Sequence, residues 1–445
     1  MLFFAKKMIE LINIISQLLI FILIFSIGNF SGLKKNYLVE NYSNLYENYS
    51  YNIIIQLNLI LFLSFLNINL ETIIYVYLIF IFFLLIYNFH FLLLKENYLN
   101  HHIYFLFFIC LVIFLDISFN LTLSWDTEKF WYQKTLNFYN GYTIDNLTNT
   151  NRSYNPHFGD LVWALFWKFS LIAEEYSGRL FYGFFYVISI SLLISNLKTK
   201  VLYKFIFVLL IIIATYDYRI LFSGNKEILI FSILCLLLHS LNKFNFNKIK
   251  DTNKEIIFFI LAANLLLWSK QVGFVYLISL LIPLVLLFKI NKNKKFIIII
   301  FSILFYLIKL FVYKFYNFDL NLKSCCYNDF TIQGIIGKIS FDRFLLILSY
   351  LAFYLFQNFI FIIGLIILML GIKNKKFLLK NLYLYLMIFL NFSFIITIYI
   401  LTDADLDLML RTGIERLIFM FMPVFIILIV NYINYFDKRL IKLSK

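Results

Sequence analysis

The side chains able to move a proton or hold a charge concentrate in one stretch of this chain, residues 122–160, TLSWDTEKFWYQKTLNFYNGYTIDNLTNTNRSYNPHFGD. Asp126, Glu128, Lys129, Lys134, Arg152, His157 and Asp160 are interleaved there with Trp125, Phe130, Trp131, Tyr132 and Phe138. The stretch is a long polar interruption in an otherwise oily protein. Asp126 directly follows an apolar run, which places it at the boundary between hydrocarbon and water. A carboxylate at the bilayer centre costs ~2.5–3.5 kcal/mol on insertion scales, and much less at the boundary. A charged acid is therefore tolerable at this point, and the stretch is the candidate reaction site.

Two local elements have to position it. On helical spacing, FWYQKTLNFY turns Phe130, Trp131, Leu136 and Phe138 largely toward lipid and Lys129, Gln133 and Lys134 partly away, as expected of an interfacial amphipathic helix. A second such segment, residues 157–173, follows Tyr154-Asn155-Pro156, with Pro156 suited to a helix start. Two in-plane helices would then bracket one loop with a carboxylate at its entrance.

Composition sets the solvent. Of 445 residues, 62% are hydrophobic, 14% are charged and three are proline. No soluble domain has the polar coat to bury that much apolar surface. The apolar runs are continuous and roughly 17–25 residues long, the length that crosses hydrocarbon as a helix, and they lack the alternation of an outer-membrane barrel. The expected fold is all-α: a polytopic helical membrane protein with about 11–13 transmembrane helices in one domain, 1–445. It divides into N-terminal spans (1–121), a loop with in-plane helices (122–177) and the remaining spans (178–445). Residues 1–28 lack a small-residue cleavage site and read as an uncleaved first span.

The net charge of +15 does not argue for nucleic acid, because Lys and Arg gather in short connections, where they set orientation. Every alternate connection in the second half is basic: Lys198–Lys204, Lys243–Lys254, Lys289–Lys295, Lys373–Lys380 and the C-terminal tail. That pattern puts these connections and the C-terminus on the cytoplasmic side, and by parity residues 122–177 on the opposite face. Four spans before the loop imply an N-terminus on the loop's side. Lys34 and Lys35 agree with that, while Lys6 and Lys7 point the other way. The four cysteines form no metal pattern: Cys110 and Cys235 lie inside spans, and Cys325 and Cys326 are adjacent, where a mutual disulfide would be strained.

The order of a span, a Trp-Asp pair, an aromatic amphipathic helix, Tyr-Asn-Pro and a second amphipathic helix resembles the GT-C superfamily of polytopic glycosyltransferases. Its members include the dolichyl-phosphate-mannose protein mannosyltransferases and the bacterial aminoarabinose transferases. Three later points are similar as well. SGNKE, containing Gly224, Lys226 and Glu227, looks like the G-x-K-[DE] turn of bacterial members. WSKQVG, with Lys270 and Gly273, looks like their K-x-x-G element. GIERLIFMFMP, with Arg416 and Pro423, is similar to their E-R-[YF]-x-x-P ending. Two departures stand beside these. Many members carry adjacent acids in the first loop, whereas Thr127 separates Asp126 from Glu128 here. The loop also follows four spans rather than one.

The resemblance implies transfer of a sugar from a polyprenyl-phosphate donor to a glycan, lipid or protein acceptor on the non-cytoplasmic face of a bacterial inner membrane. Inverting displacement at an anomeric carbon needs one general base. Asp126 takes that role, with Glu128 as its partner or a bystander. A glycosidase would want two carboxylates at a defined separation. The leaving group is a lipid phosphate, so cations should face it: Arg219, Lys226, Lys270, Arg411 and Arg416 are candidates, beside Glu227. Snorkelling at the interface accounts equally well for such cations, and better for Arg219 and Arg411. Tyr132, Asn155 and His157 complete the candidate substrate-binding set, His157 being better suited to a structural place. No cofactor is implied, and a divalent metal is left open. The alternatives are a flippase or transporter for a lipid-linked saccharide, and a polysaccharide polymerase or ligase. The first would show inverted repeats and broken spans, and the second a large late loop.

Overall fold

In bilayer hydrocarbon every backbone N–H and C=O must be satisfied within the chain, which leaves helices as the form open to continuous apolar runs such as these. The computed structural model describes residues 2–28, 42–88, 101–216, 222–246, 252–288, 290–318 and 337–443. Among them there is no strand. Before the polar stretch come α1 (Leu2–Ser26), α2 (Tyr42–Ser64), α3 (Leu70–Tyr87) and α4 (His101–Phe119). Within it are a π-helical turn, Thr127–Trp131, then α5 (Tyr132–Tyr139), a 3-10 turn, Asp145–Asn149, and α6 (Phe158–Lys168). After it follow α7 (Tyr176–Ile194), α8 (Val201–Tyr216), α9 (Glu227–Phe246), α10 (Thr252–Ser269), α11 (Gly273–Leu287) and α12 (Lys292–Phe315). The chain ends with α13 (Phe341–Gln357), α14 (Phe359–Lys373), α15 (Lys375–Ile400) and α16 (Leu406–Leu443).

Eight of these helices are long and apolar enough to cross a membrane, or up to nine if α13 and α14 are one span bent by 105°. That is fewer than the eleven to thirteen expected from the runs alone. The runs at 52–67 and 255–269 do become helices, α2 and α10, but both carry polar side chains into the interior, among them Asn48, Asn52, Gln56, Asn58, Glu255 and Asn264. The helices α8 and α11 are only 16 and 15 residues long. The apolar stretch 342–371 is interrupted at Asn358, whose side chain accepts from Ile360 N and donates to the Ala214 carbonyl at 2.6 Å.

Burial sorts the helices into a centre and a periphery. The spans in α7 and α9 are 100% and 94% buried, against 28% in α3 and 33% in α12. The α9 helix packs between α7, α10 and α16. The outer helices expose large apolar side chains such as Tyr75, Phe82, Phe83, Leu307 and Phe311, which in an aqueous protein would be an aggregation surface and here suits lipid. An aromatic cluster of Phe21, Phe25, Phe166, Phe181 and Phe184 ties α1 to α6 and α7. Asn13 bonds Ser177 while Phe25 stacks on Phe184, so α1 runs parallel to α7. The beginning of α1 therefore lies at the same end of the bundle as the polar stretch, as Lys34 and Lys35 suggested and Lys6 and Lys7 did not.

Candidate functional site

The polar stretch is held by its own cations. Trp125 opens a helix whose next turn is π-helical, Thr127–Trp131. The buried positions Thr127, Phe130, Trp131, Lys134, Thr135 and Phe138 follow the i, i+3, i+4 spacing of one helical face, and that face packs on protein. Phe130, Trp131 and Phe138 are buried against protein rather than turned to lipid, and Lys134 points inward with none of its surface exposed. The Lys134 ammonium donates to the carbonyls of Arg152 at 2.7 Å and Asn155 at 2.9 Å. Gln271 donates to the Tyr154 carbonyl and Lys226 to that of Pro156. Tyr154-Asn155-Pro156 thus serves as a row of backbone acceptors, and Asn155 contributes through its carbonyl.

Burial, followed by the nearby Lys226 ammonium, brings the Lys134 pKa down from 10.5 to about 7. Between those values the unfolded chain binds the extra proton, so this residue's destabilising contribution fades as pH rises through the window. The stability difference between the wild type and Lys134→Met should therefore change across pH 7–10.5, the wild type gaining, as read from thermal unfolding in detergent. A flat difference would remove Lys134 titration as the cause.

The second short helix, α6, is enclosed rather than amphipathic: every residue from Phe158 to Trp167 is buried. Asp160 on its first turn pairs with Lys226 at 2.6 Å, both fully buried, and the Lys226 ammonium lies 4.0 Å from the Trp131 ring centroid. Burial pushes the Asp160 carboxyl up and the Lys226 ammonium down. Gly224 allows this approach. Its φ is +82°, and a Cβ there would stand 2.5 Å from Thr127 Cγ2 and 2.8 Å from Trp163 Cη2. Gly224→Ala should lower stability by about 1–3 kcal/mol through backbone strain and overpacking, measured by thermal unfolding in detergent; an unchanged melting temperature would contradict that packing.

Above this layer the four segments that attracted attention in the sequence meet. Arg416 from α16 bonds Asp126 through Nη1 and lies 3.7 Å from Glu227 Oε1. Lys270, at the end of α10, donates to the same Glu227 oxygen at 2.6 Å. Glu227 is fully buried, whereas Asp126, Arg416 and Lys270 keep 21–23% of their side-chain surface accessible. Two carboxylates and two cations thus form a balanced cluster with one wet side. Ser124 bonds Asn225 at 2.9 Å, and its backbone N–H donates to the Ser223 carbonyl, fixing the strand of chain before Asp126 against the 223–227 turn.

The remaining candidates lie elsewhere. Glu128 is exposed and pairs with no described cation. Arg411 sits on an exposed edge, bonded to Asp407 at 2.7 Å and to the Tyr350 hydroxyl at 3.0 Å. Tyr132 stacks on Trp167 and packs at a tilt against Trp163. His157 is buried between Phe65, Phe138 and Trp268. Ser64 donates its one hydroxyl proton to the Leu61 carbonyl, so His157 Nε2 must carry the hydrogen that joins them at 3.1 Å. Burial and then three lysine ammoniums hold its imidazole well below the ordinary range, hence neutral. His157 therefore belongs to the packing. Arg219, Cys325 and Cys326 lie outside the described residues. Among the described residues no three of His, Cys, Asp or Glu come together as a metal-ligand set. Sequence reasoning overlooked Lys134 and Asp160 as the pieces that organise the loop. A signal was available for Asp160, an acid inside the apolar run FGDLVWALFW, whereas Lys134 stands among Gln133, Thr135 and Asn137 and carried none.

Comparison with family models, with curated proteins and with solved structures found no match. The functional reading therefore rests on this cluster.

Proposed function

We propose that the chain is a membrane glycosyltransferase that moves a sugar from a polyprenyl-phosphate donor to an acceptor hydroxyl on the non-cytoplasmic face. The observation that carries this reading is the meeting of Asp126, Glu227, Lys270 and Arg416 from four separated segments at the end of the bundle opposite the basic connections. The basic connections lie in the cytoplasm under the positive-inside preference, and the short helices α5 and α6 lie at the outer membrane boundary. The Asp126 carboxylate accepts the acceptor's hydroxyl proton as that oxygen attacks the anomeric carbon. The bond from that carbon to the phosphate oxygen breaks with inversion, and the lipid phosphate departs with the electron pair. Arg416 and Lys270 stabilise the departing anion, a contribution whose removal typically lowers turnover by 10²–10³-fold. Glu227 keeps both cations aimed at it. Arg416 bridges Asp126 in the resting cluster, so an arriving phosphate competes for the guanidinium and releases the base.

The direct test is product formation: membranes containing the protein, supplied with labelled polyprenyl-phosphate sugars, should transfer label to one acceptor class. Recovery of the label only in unaltered donor on the far side of the membrane would replace transfer with transport. The sidedness is checked separately with Asn149→Cys, whose parent residue is exposed. A membrane-impermeant thiol reagent should label it in intact cells. Labelling by a permeant reagent alone would reverse the assigned face.

A further inference from the structure

The outer half of α12 holds a cation that belongs neither to the cluster nor to the pair beneath it. Lys309 stands six residues, about 9 Å, short of the end of the helix at Phe315. A lysine at that depth can snorkel to the interface, yet this one turns inward and is 6% exposed. Among the described residues no carboxylate pairs with it. Its ammonium donates instead to the Leu267 carbonyl at 2.7 Å. An unpaired cation inside a span is costly, and such residues are kept where they act on a neighbour.

That neighbour is the end of α10. The last four carbonyls of a helix have no partner within it and carry its negative pole. In α10 they belong to residues 266–269, at the end of the bundle that bears the cluster. The α9 helix, which starts at Glu227, presents its positive pole there. Lys270 follows directly after Ser269, and lysines at helix C-termini commonly bond the last carbonyls of their own helix. Here the Lys270 ammonium reaches across to Glu227 at 2.6 Å. Two of the terminal carbonyls are closed to it. Lys309 occupies that of Leu267. Gly273, at the start of α11, lies against that of Leu266, where a Cβ would come within 2.1 Å of the oxygen. The Gly273 N–H donates to the Lys270 carbonyl and closes the turn between the helices. Trp268 packs edge-on against Tyr313, one helical turn beyond Lys309, and both rings are buried.

We infer that Lys309 is a positioning residue for Lys270. By taking the Leu267 carbonyl and offsetting the negative pole of α10, it leaves the Lys270 ammonium extended toward Glu227 and an arriving phosphate. Lys309 itself touches no substrate. The inference rests on the phosphate-binding part of the reaction proposed above and is independent of the sugar transferred.

The test uses the full chain in detergent, titrated with farnesyl phosphate, a short polyprenyl monophosphate, and assayed in parallel for transfer. Lys309→Met should raise both the dissociation constant of farnesyl phosphate and the KM for the donor by about tenfold, the lower end for one hydrogen bond to a charged group. The KM for the acceptor should stay unchanged, a split that general loosening of the fold would not produce. The substitution strands no carboxylate, so the variant should fold, and Lys309→Gln repeats the measurement with a second side chain. Lys270→Met should show a similar loss, and adding Lys309→Met to it should weaken binding no further, because the effect runs through Lys270. Additive losses, equal rises in both KM values, or an unchanged dissociation constant in both Lys309 variants would overturn the inference. A wild type that binds farnesyl phosphate in this Lys309-dependent way but transfers no sugar would remove the proposed reaction and uphold the positioning role. A wild type that transfers sugar, with both Lys309 variants unaltered, would remove the positioning role alone.

Discussion

Asp126→Asn should reduce sugar transfer by about 10²–10⁴-fold, the usual worth of a positioned general base, while leaving expression and membrane insertion intact. The asparagine keeps the shape and a hydrogen-bond acceptor for Arg416, so the loss isolates the proton-accepting function. Asp126 is only partly buried, and its neutralisation leaves Arg416 within reach of Glu227 at 3.7 Å, so stability should change little. Glu128→Gln is the matched comparison. That side chain is exposed, and near-normal transfer is expected. Near-normal turnover in Asp126→Asn would remove this residue as the base. Equal losses in both variants would point to a general charge requirement of the loop in place of one proton acceptor.

The largest structural effect is expected at the pair beneath the cluster. Lys226→Met should destabilise the protein by about 3–5 kcal/mol, because it strands the Asp160 carboxylate in a fully buried site. The pair is cemented by other contacts as well: the Lys226 ammonium donates to the Pro156 carbonyl at 2.7 Å and lies over the Trp131 ring. The double variant Asp160→Leu with Lys226→Met should recover much of the loss, since replacing both charges of a buried pair by apolar groups of similar size is often neutral. Thermal unfolding in detergent checks both. A double variant no more stable than Lys226→Met would mean that the cation's contacts with Pro156 and Trp131 dominate over charge pairing.

Polar contacts tie α13 to residues 402–411. Lys338 pairs with Asp403 at 2.5 Å, Arg343 donates to the Thr402 carbonyl, and the Tyr350 and Tyr354 hydroxyls bond Asp407 and the Arg411 carbonyl. These contacts run in register, Arg343 with Thr402, Tyr350 with Asp407 and Tyr354 with Arg411, so α13 lies alongside the 401–411 segment in the same direction. The bend of 105° follows them, beyond Gln357.

Much of this was legible in the chain itself. Continuous apolar runs with few prolines determined helices in a bilayer, because the other backbone form that satisfies its polar groups there, a closed barrel, needs alternating strands. The placement of Asp126, Glu227, Lys270 and Arg416 at the borders of those runs determined that they share one end of the bundle. Alternation of basic and mixed connections leaves no other parity. What the runs could not contain was azimuth. A border residue can point to lipid, to water or to any of several neighbouring helices, and only the packing of α9 between α7, α10 and α16 decided that Arg416 meets Asp126 and Glu227. The same packing gave Lys226 to Asp160 and left Arg411 outside. The aromatic face of the loop keeps helical spacing, with Lys134 on the same face as Phe130 and Phe138, and only the packing decided that this face meets protein and not lipid. The stretch around Asp126 was therefore identifiable from composition and position, whereas its partners were chosen by tertiary contacts between segments up to 290 residues apart.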